Sequence, residues 1–309
     1  MPARAAPSLH RMSVPLAPRS IGVSIRTDSM AIDEAERVAS MVERLGFASL
    51  WLVEALGRDP FVHASQLLAA TDTLVVGTGV ANIHLRSALA TAMAAGTLVE
   101  QSGGRFALGL GMSHAELVEE VLELPYRSPL RTLSDYVAAV RAVPAAAELP
   151  IVLGVLGPKL SALGGAEADG VLPVKVSPEH VARTRALIGD DAWLGVKQYV
   201  MVETDPSVAR AVARRRLEGS LGMANYARAF RAAGFEESDL LDGGSDRLVD
   251  MVVAWGPPAA IEHRVAEQLE AGADHVVLEP LDPREPHETD TTSLPALADA
   301  VGGGSPPRR

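Results

Sequence analysis

Residues 103–114, GGRFALGLGMSH, close a short apolar run with two glycines one residue apart and then deliver Ser113 and His114. The segment is a poor nucleotide fingerprint, because GxGxxG needs a third glycine where His114 stands. If residues 105–111 form a strand, Gly109 and Gly111 let a flat ligand approach the backbone, and an imidazole that can move protons near neutral pH follows at the strand's end. The same residues fit a bulge with His114 capping the next helix, and spacing alone does not separate the two.

Other strand-like runs end on chemistry of their own. Glu54 terminates SLWLVE, where a carboxylate can bond a heterocycle, hold a cation or cap a helix. GTGVANIHLR presents Gly79, Asn82, His84 and Arg86 together, and the glycines at 77 and 79 suggest an unusual backbone path or an ordinary turn. In VLGPKLSALGG, Gly157, Pro158, Lys159 and Ser161 fall on the first turn of a helix. Free amides there suit a phosphate, with Lys159 as counter-charge, although a proline at a helix start also needs no further role. Lysine occurs only at 159, 175 and 197, and Lys175, at the end of an apolar run, offers an amine for Schiff-base chemistry. The eight histidines, at 10, 63, 84, 114, 180, 263, 275 and 287, form no HxH or HExxH pattern, so no metal site is expected. Neither a phosphate-binding Gx4GK[ST] loop nor a GxSxG elbow is present.

The elements that must position these residues alternate. Eight β-rich runs, at 20–25, 49–54, 73–80, 105–111, 150–156, 169–174, 193–202 and 274–280, are separated by helical stretches. Most lack polar alternation, as strands covered on both faces should. Helical segments such as AIDEAERVASMVERLG carry acids in the first turn and close on glycine. The pattern predicts an α/β fold, a TIM-type (β/α)8 barrel with its chemistry at the carboxyl ends of the strands. About 70 residues separate the last two runs, which predicts a helical insertion at about 206–255 that either caps the barrel mouth or packs on its flank or in a dimer surface. Residues 1–19 are expected to be a disordered leader, 20–281 a single barrel domain and 282–309 a flexible tail.

The 309-residue chain has 28 basic and 39 acidic residues, a formal charge of -11. That balance disfavours nucleic acid or an anionic membrane as partner and points to a small molecule. No apolar run approaches the roughly 20 residues of a membrane span. The absence of cysteine excludes disulfides and thiolate chemistry. The N-terminal segment lacks the apolar core of an export signal, so the expectation is a cytoplasmic protein.

Four segments, GFASLWLVEALGRDPF, the long stretch from LVVGTGVANIHLR to GLGMSH, LGPKLSALGGAEADGVLP, and SDRLVDMVVAWG through HVVLEPL, resemble the luciferase-like monooxygenase superfamily. Within it they resemble the branch that uses the deazaflavin coenzyme F420, over about residues 20–281. The resemblance implies a barrel with insertions, frequent homodimers, and hydride transfer through a coenzyme in the barrel mouth. It places a bulge with a non-prolyl cis peptide at Gly79-Val80, against the coenzyme ring; Asn82, Gly111 and Ser113, at the ends of the third and fourth strand runs, are the further coenzyme-binding candidates. It puts the phosphate turn on Gly157, Pro158 and Lys159. The F420-dependent sugar-phosphate dehydrogenases have an acid followed by histidine at the second strand end, whereas this chain has Glu54-Ala55; their proton-transferring carboxylate aligns with His114. The expected function is therefore an F420-dependent oxidoreductase with His114, Glu54 and His84 as candidate acid–base groups. The alternatives are an FMN-dependent monooxygenase, a Schiff-base lyase using Lys175, and a coenzyme-binding relative without catalysis.

Overall fold

The computed structural model describes residues 14–55 and 57–302. Its strands are β1 (Ser20–Ile25), β2 (Ser49–Leu52), β3 (Val75–Thr78), β4 (Ala81–Asn82), β5 (Phe106–Gly111), β6 (Ile151–Leu153), β7 (Gly170–Val171), β8 (Trp193–Val202), β9 (Val253–Gly256) and β10 (His275–Pro280). Its helices are α1 (Ile32–Arg44), α2 (Pro60–Ala69), α3 (Ala88–Ser102), α4 (Pro129–Arg141), α5 (Pro158–Glu167), α6 (Pro178–Ile188), α7 (Pro206–Leu221), α8 (Ala224–Ala232), α9 (Asp246–Val252), α10 (Pro258–Glu270) and α11 (Leu294–Ala300).

Eight parallel strands close a TIM-type barrel in the order β1-β2-β3-β5-β6-β7-β8-β10, with β10 returning to β1. Helices cover the outside, so the strands are buried on both faces and need no polar alternation. The helices start where the local chemistry says they should. Asp59 and Ser87 accept the first free amides of α2 and α3, and α3 stops at Gly103, whose left-handed backbone (φ 64°) suits a residue without a β-carbon.

Three expectations change. The leader was expected to run to residue 19, but Val14 is buried with Trp51, Val75, Ala107, Val152, Leu172 and Val277 in the lower barrel. Val14, with Leu16 packed against the same cluster, plugs that end, where Trp51 and Trp193 stack 5.9 Å apart. The tail was expected to be flexible from 282, yet α11 buries Leu294, Leu297 and Ala298 against the core, the i, i+3, i+4 stripe of an amphipathic helix. Residues 1–13 and 303–309 lie outside the described chain. The insertion supplies α7, α8 and α9 but also β9, a short strand that adds to the carboxyl end of β8 through Tyr199↔Val253 to Val202↔Gly256. VVAW is apolar and β-branched enough for a strand, a signal submerged in its helical surroundings. Among the described residues, no helix is long and apolar enough to cross a membrane.

Candidate active site

A cavity of about 910 Å³ opens at the carboxyl ends of the barrel strands. One wall is a device built from the third barrel strand and its neighbours. β3 pairs with β5 through Val76↔Phe106 and Gly77↔Ala107, and the chain resumes pairing as β4 through Ala81↔Leu110 and Asn82↔Gly111, a register slipped by one residue. The extra residue makes a bulge. Where the ladder lapses, the Thr78 hydroxyl donates to the Gly109 carbonyl at 2.7 Å and accepts the Gly109 amide at 2.9 Å. The Gly79–Val80 peptide in the bulge is cis.

Gly109 and Gly111 serve this bulge first. A β-carbon at Gly109 would lie 1.9 Å from the Thr78 oxygen, and one at Gly111 or Gly154 would lie 2.4 Å or 2.7 Å from the Val80 methyls. Gly109 and Gly111 fit either close approach of a ligand or a bulge; here they and Gly154 make room for the bulge, and Val80, Gly79, Gly111 and Gly154 together form part of the cavity wall. The alternatives at this segment turn out to be compatible. Ser113 is left-handed (φ 58°), His114 stands just before a short helical segment with its carbonyl accepting the Val118 amide, and its ring nonetheless lines the cavity.

His114 is half-buried, its Nδ1 is enclosed without a partner, and its ring centroid lies 5.5 Å from that of Tyr226 on α8. Burial, aided by the Lys175 charge, holds its pKa below the ordinary histidine value, while Glu116 and Asn225 act in the other direction. The imidazole is therefore neutral at pH 7. Tyr226 belongs to the insertion, and Met223, Asn225, Arg228, Ala229 and Ala232 of the same segment also line the cavity, so the insertion caps the mouth.

The remaining expected residues divide. Asn82, Ser113, Gly157 and Pro158 line the cavity. At α5 no side chain caps the amino end, Pro158 occupies the first turn, and Gly157, Pro158, Leu160 and Ser161 line the cavity, so the uncapped amino end of the helix borders it. Lys159 does not join them: it is exposed and outside the lining. Glu54 borders the cavity but is committed elsewhere. It pairs with Arg86 and accepts the Asn82 amide at 2.6 Å, clamping the end of β2 to the segment after the bulge. A carboxylate so engaged is a brace rather than a free base. His84 lies outside the lining, its ring 6.0 Å from Tyr126, its Nε2 buried without a partner and its pKa lowered by burial.

Sequence reasoning missed the opposite wall. Lys197 on β8 pairs with Glu279 on β10 at 2.5 Å, and Arg216 on α7 pairs with the same carboxylate at 2.8 Å and donates to the Tyr199 hydroxyl at 2.9 Å. Lys175, also left-handed (φ 60°), donates to Ser220 at 2.7 Å and stands 3.8 Å from the centre of the Tyr226 ring. Burial together with Arg216 pushes its ammonium down to about 7, and the two cations hold Glu279 at about 2 despite its burial. His180 on α6 also lines the cavity, with burial pushing it down to about 4. Only strand-end position flagged Lys175; nothing local marks Arg216, Tyr226 or Glu279 as neighbours. No group of three His, Cys, Asp or Glu suited to a metal occurs among the described residues.

A family model described as luciferase-like monooxygenase matches residues 13–275. The 5,10-methylenetetrahydromethanopterin reductase of Methanolobus tindarius is 26% identical over 286 residues, covering 77% of this chain and 87% of its own. A protein of Mycobacterium tuberculosis assigned as a coenzyme F420-dependent oxidoreductase is 32% identical over 181 residues, 47% of this chain and 52% of its own. Among solved structures, an F420-dependent secondary alcohol dehydrogenase in complex with an F420-acetone adduct superposes with a TM-score of 0.75 at 15% identity, over 94% of this chain and 100% of that one.

Proposed function

The chain belongs to the luciferase-like monooxygenase family and is an enzyme, and from that premise we propose that it is an oxidoreductase that uses coenzyme F420 to exchange a hydride with a small organic substrate. When bound, the coenzyme supplies a carbon that carries hydride. The residues fit such a group. The wall of Gly79, Val80, Gly111 and Gly154 is flat because side chains are missing or tucked away, and a planar ring needs such a surface. The uncapped amides of α5 suit a phosphate, which the positive end of the helix dipole favours. Asn82 and Ser113 lie beside that wall and can bond the ring's edge.

The observation that carries the reading is the placement of His114, an imidazole whose pKa burial lowers and whose ring lines the cavity, at the edge of the same wall. A substrate that loses a hydride must also lose a proton, and His114 accepts it; in the reverse direction the imidazolium returns it. Glu54 holds the bulge in place and His84 stands behind Tyr126, so neither competes for that role. The insertion helix α8 limits water above the site. A homodimer is part of this proposal and is checked by light scattering.

The family's monooxygenase description favours one second reading, FMN on the same wall with oxygen as co-substrate. Fluorescence titration of the purified protein separates the two. The proposal expects F420 to bind with a dissociation constant in the micromolar range or below, about −8 kcal/mol or better. Preferential binding of FMN, with oxygen consumption when the flavin is reduced, would replace it.

A further inference from the structure

The cavity is strongly basic in an acidic protein. Arg26, Lys175, Arg183, Lys197, Arg216 and Arg228 line it, whereas Glu54, its one lining carboxylate among the described residues, is already paired with Arg86. Arg183 and Arg228 are exposed at the rim, but Lys175 is only 8% exposed, and the Lys197 and Arg216 side chains only 9% and 11%. These three deep cations share a single counter-ion, Glu279, whose oxygens are taken by Lys197 and Arg216. Among the described residues Lys175 has no carboxylate within ion-pair distance; a serine hydroxyl and the face of Tyr226 are its partners. The Arg216 Nε is buried without a partner. With Lys175 protonated, the deep end of the cavity holds more positive charge than negative, which a buried site relieves either by loss of the Lys175 proton or by an anion seated beside it.

Position separates this cluster from the flat wall. The bulge is on the third strand of the eight-strand ring, while Lys175 follows the sixth, Lys197 lies on the seventh and Glu279 on the eighth. The third and seventh strands of an eight-strand ring face each other across the mouth. A ring resting on the bulge thus has the cations beyond it, where a substrate lies.

Resting on the reading above, we propose that the substrate carries an oxyanion, a carboxylate or a phosphate- or sulfate-like group, seated against Lys175 and Arg216. The oxyanion completes the charge count, accepts from Lys175 Nζ and lies beside the Arg216 guanidinium, and its position aims the rest of the substrate toward His114. The depressed ammonium of Lys175 is what a buried cation without a counter-ion shows, and an oxyanion beside it restores the charge. In this assignment Lys175 acts as a charge rather than as a Schiff-base nucleophile.

Calorimetric titration with sulfate and with acetate, in low-chloride buffer, tests this on the protein with and without F420. Saturable binding of at least one anion is expected in both forms, and the stronger of the two identifies the group. Lys175→Met should weaken that binding at least tenfold, Lys175→Arg should restore it to within about threefold, and neither should change F420 affinity by more than about threefold. Circular dichroism and the urea midpoint report whether each variant is folded. The proposal is overturned by absence of saturable anion binding below about 100 mM, by equal binding in wild type and Lys175→Met, or by loss of F420 binding in Lys175→Met, which would give the cations to the coenzyme. If F420 fails to bind the wild-type protein, the coenzyme reading falls, while the anion titration of the coenzyme-free protein still decides this one.

Discussion

The two walls of the cavity are built by opposite means. The wall of β3, β4, β5 and β6 is made by removing side chains: Gly109, Gly111 and Gly154 leave room for Val80, and the result is smooth and uncharged. The wall of β7, β8, β10 and α7 is made by burying charge, with Lys175, Lys197 and Arg216 around Glu279. The first suits a planar group that is the same in every turnover, and the second suits a polar substrate that must be selected. His114 stands between them, beside the flat wall and within electrostatic reach of Lys175.

If that division is correct, the largest effect belongs to the residue at the seam. His114→Ala should lower turnover by about 10²–10⁴-fold with coenzyme affinity nearly unchanged, as steady-state kinetics at saturating F420 and a parallel fluorescence titration would report. Collapse of affinity with turnover preserved would move His114 onto the coenzyme's wall. On the charged wall, Glu279→Gln leaves Lys197 and Arg216 buried without their shared partner and should cost roughly 3–5 kcal/mol of stability in urea unfolding. A loss below about 1 kcal/mol would show that those cations are solvated and the wall is not as dry as its burial implies.

The pH profile sharpens the same contrast. Because burial lowers the His114 pKa, the unprotonated imidazole persists below pH 6.5. Turnover in the direction that needs a proton acceptor should therefore be level at neutral pH and fall only on acidification through the lowered value. In the reverse direction, which needs the imidazolium, the rate should decline as pH rises through it. Removal of both features in His114→Ala ties the profile to this ring; their persistence would assign them to another group. The smallest effect is expected from Lys159→Ala, which should change coenzyme affinity by no more than about 0.5 kcal/mol, since the exposed ammonium lies outside the cavity lining.

The two walls also differed in how far the sequence disclosed them. All eight barrel strands are visible as apolar runs, because a parallel strand covered on both faces shows no polar alternation. The flat wall was largely visible too, since GTGV and GLGM mark absent side chains at strand ends, although the sequence alone could not say that the glycines accommodate Val80 rather than a ligand. Lys159 is exposed outside the lining whereas Leu160 and Ser161 of the same turn line the cavity, a distinction of geometry and not of composition. The charged wall was nearly invisible. Arg216 and Tyr226 come from an insertion that folds back over the mouth, and Glu279 meets them only because β10 closes the ring beside β8. Contacts made by closure leave no local periodicity to find.

The central claim, that the coenzyme ring rests on the wall around Val80, is tested most directly by filling that wall from behind. A β-carbon at Gly111 would stand 2.4 Å from a Val80 methyl, so Gly111→Val must push Val80 into the cavity or distort the bulge. Overpacking of this kind costs about 1–3 kcal/mol, which a barrel of this size can absorb. F420 fluorescence titration of the Gly111→Val protein, with its urea midpoint as a check on folding, should show affinity at least tenfold weaker than wild type in a chain that remains folded. Wild-type affinity in the folded variant would contradict the account and place the ring elsewhere in the cavity.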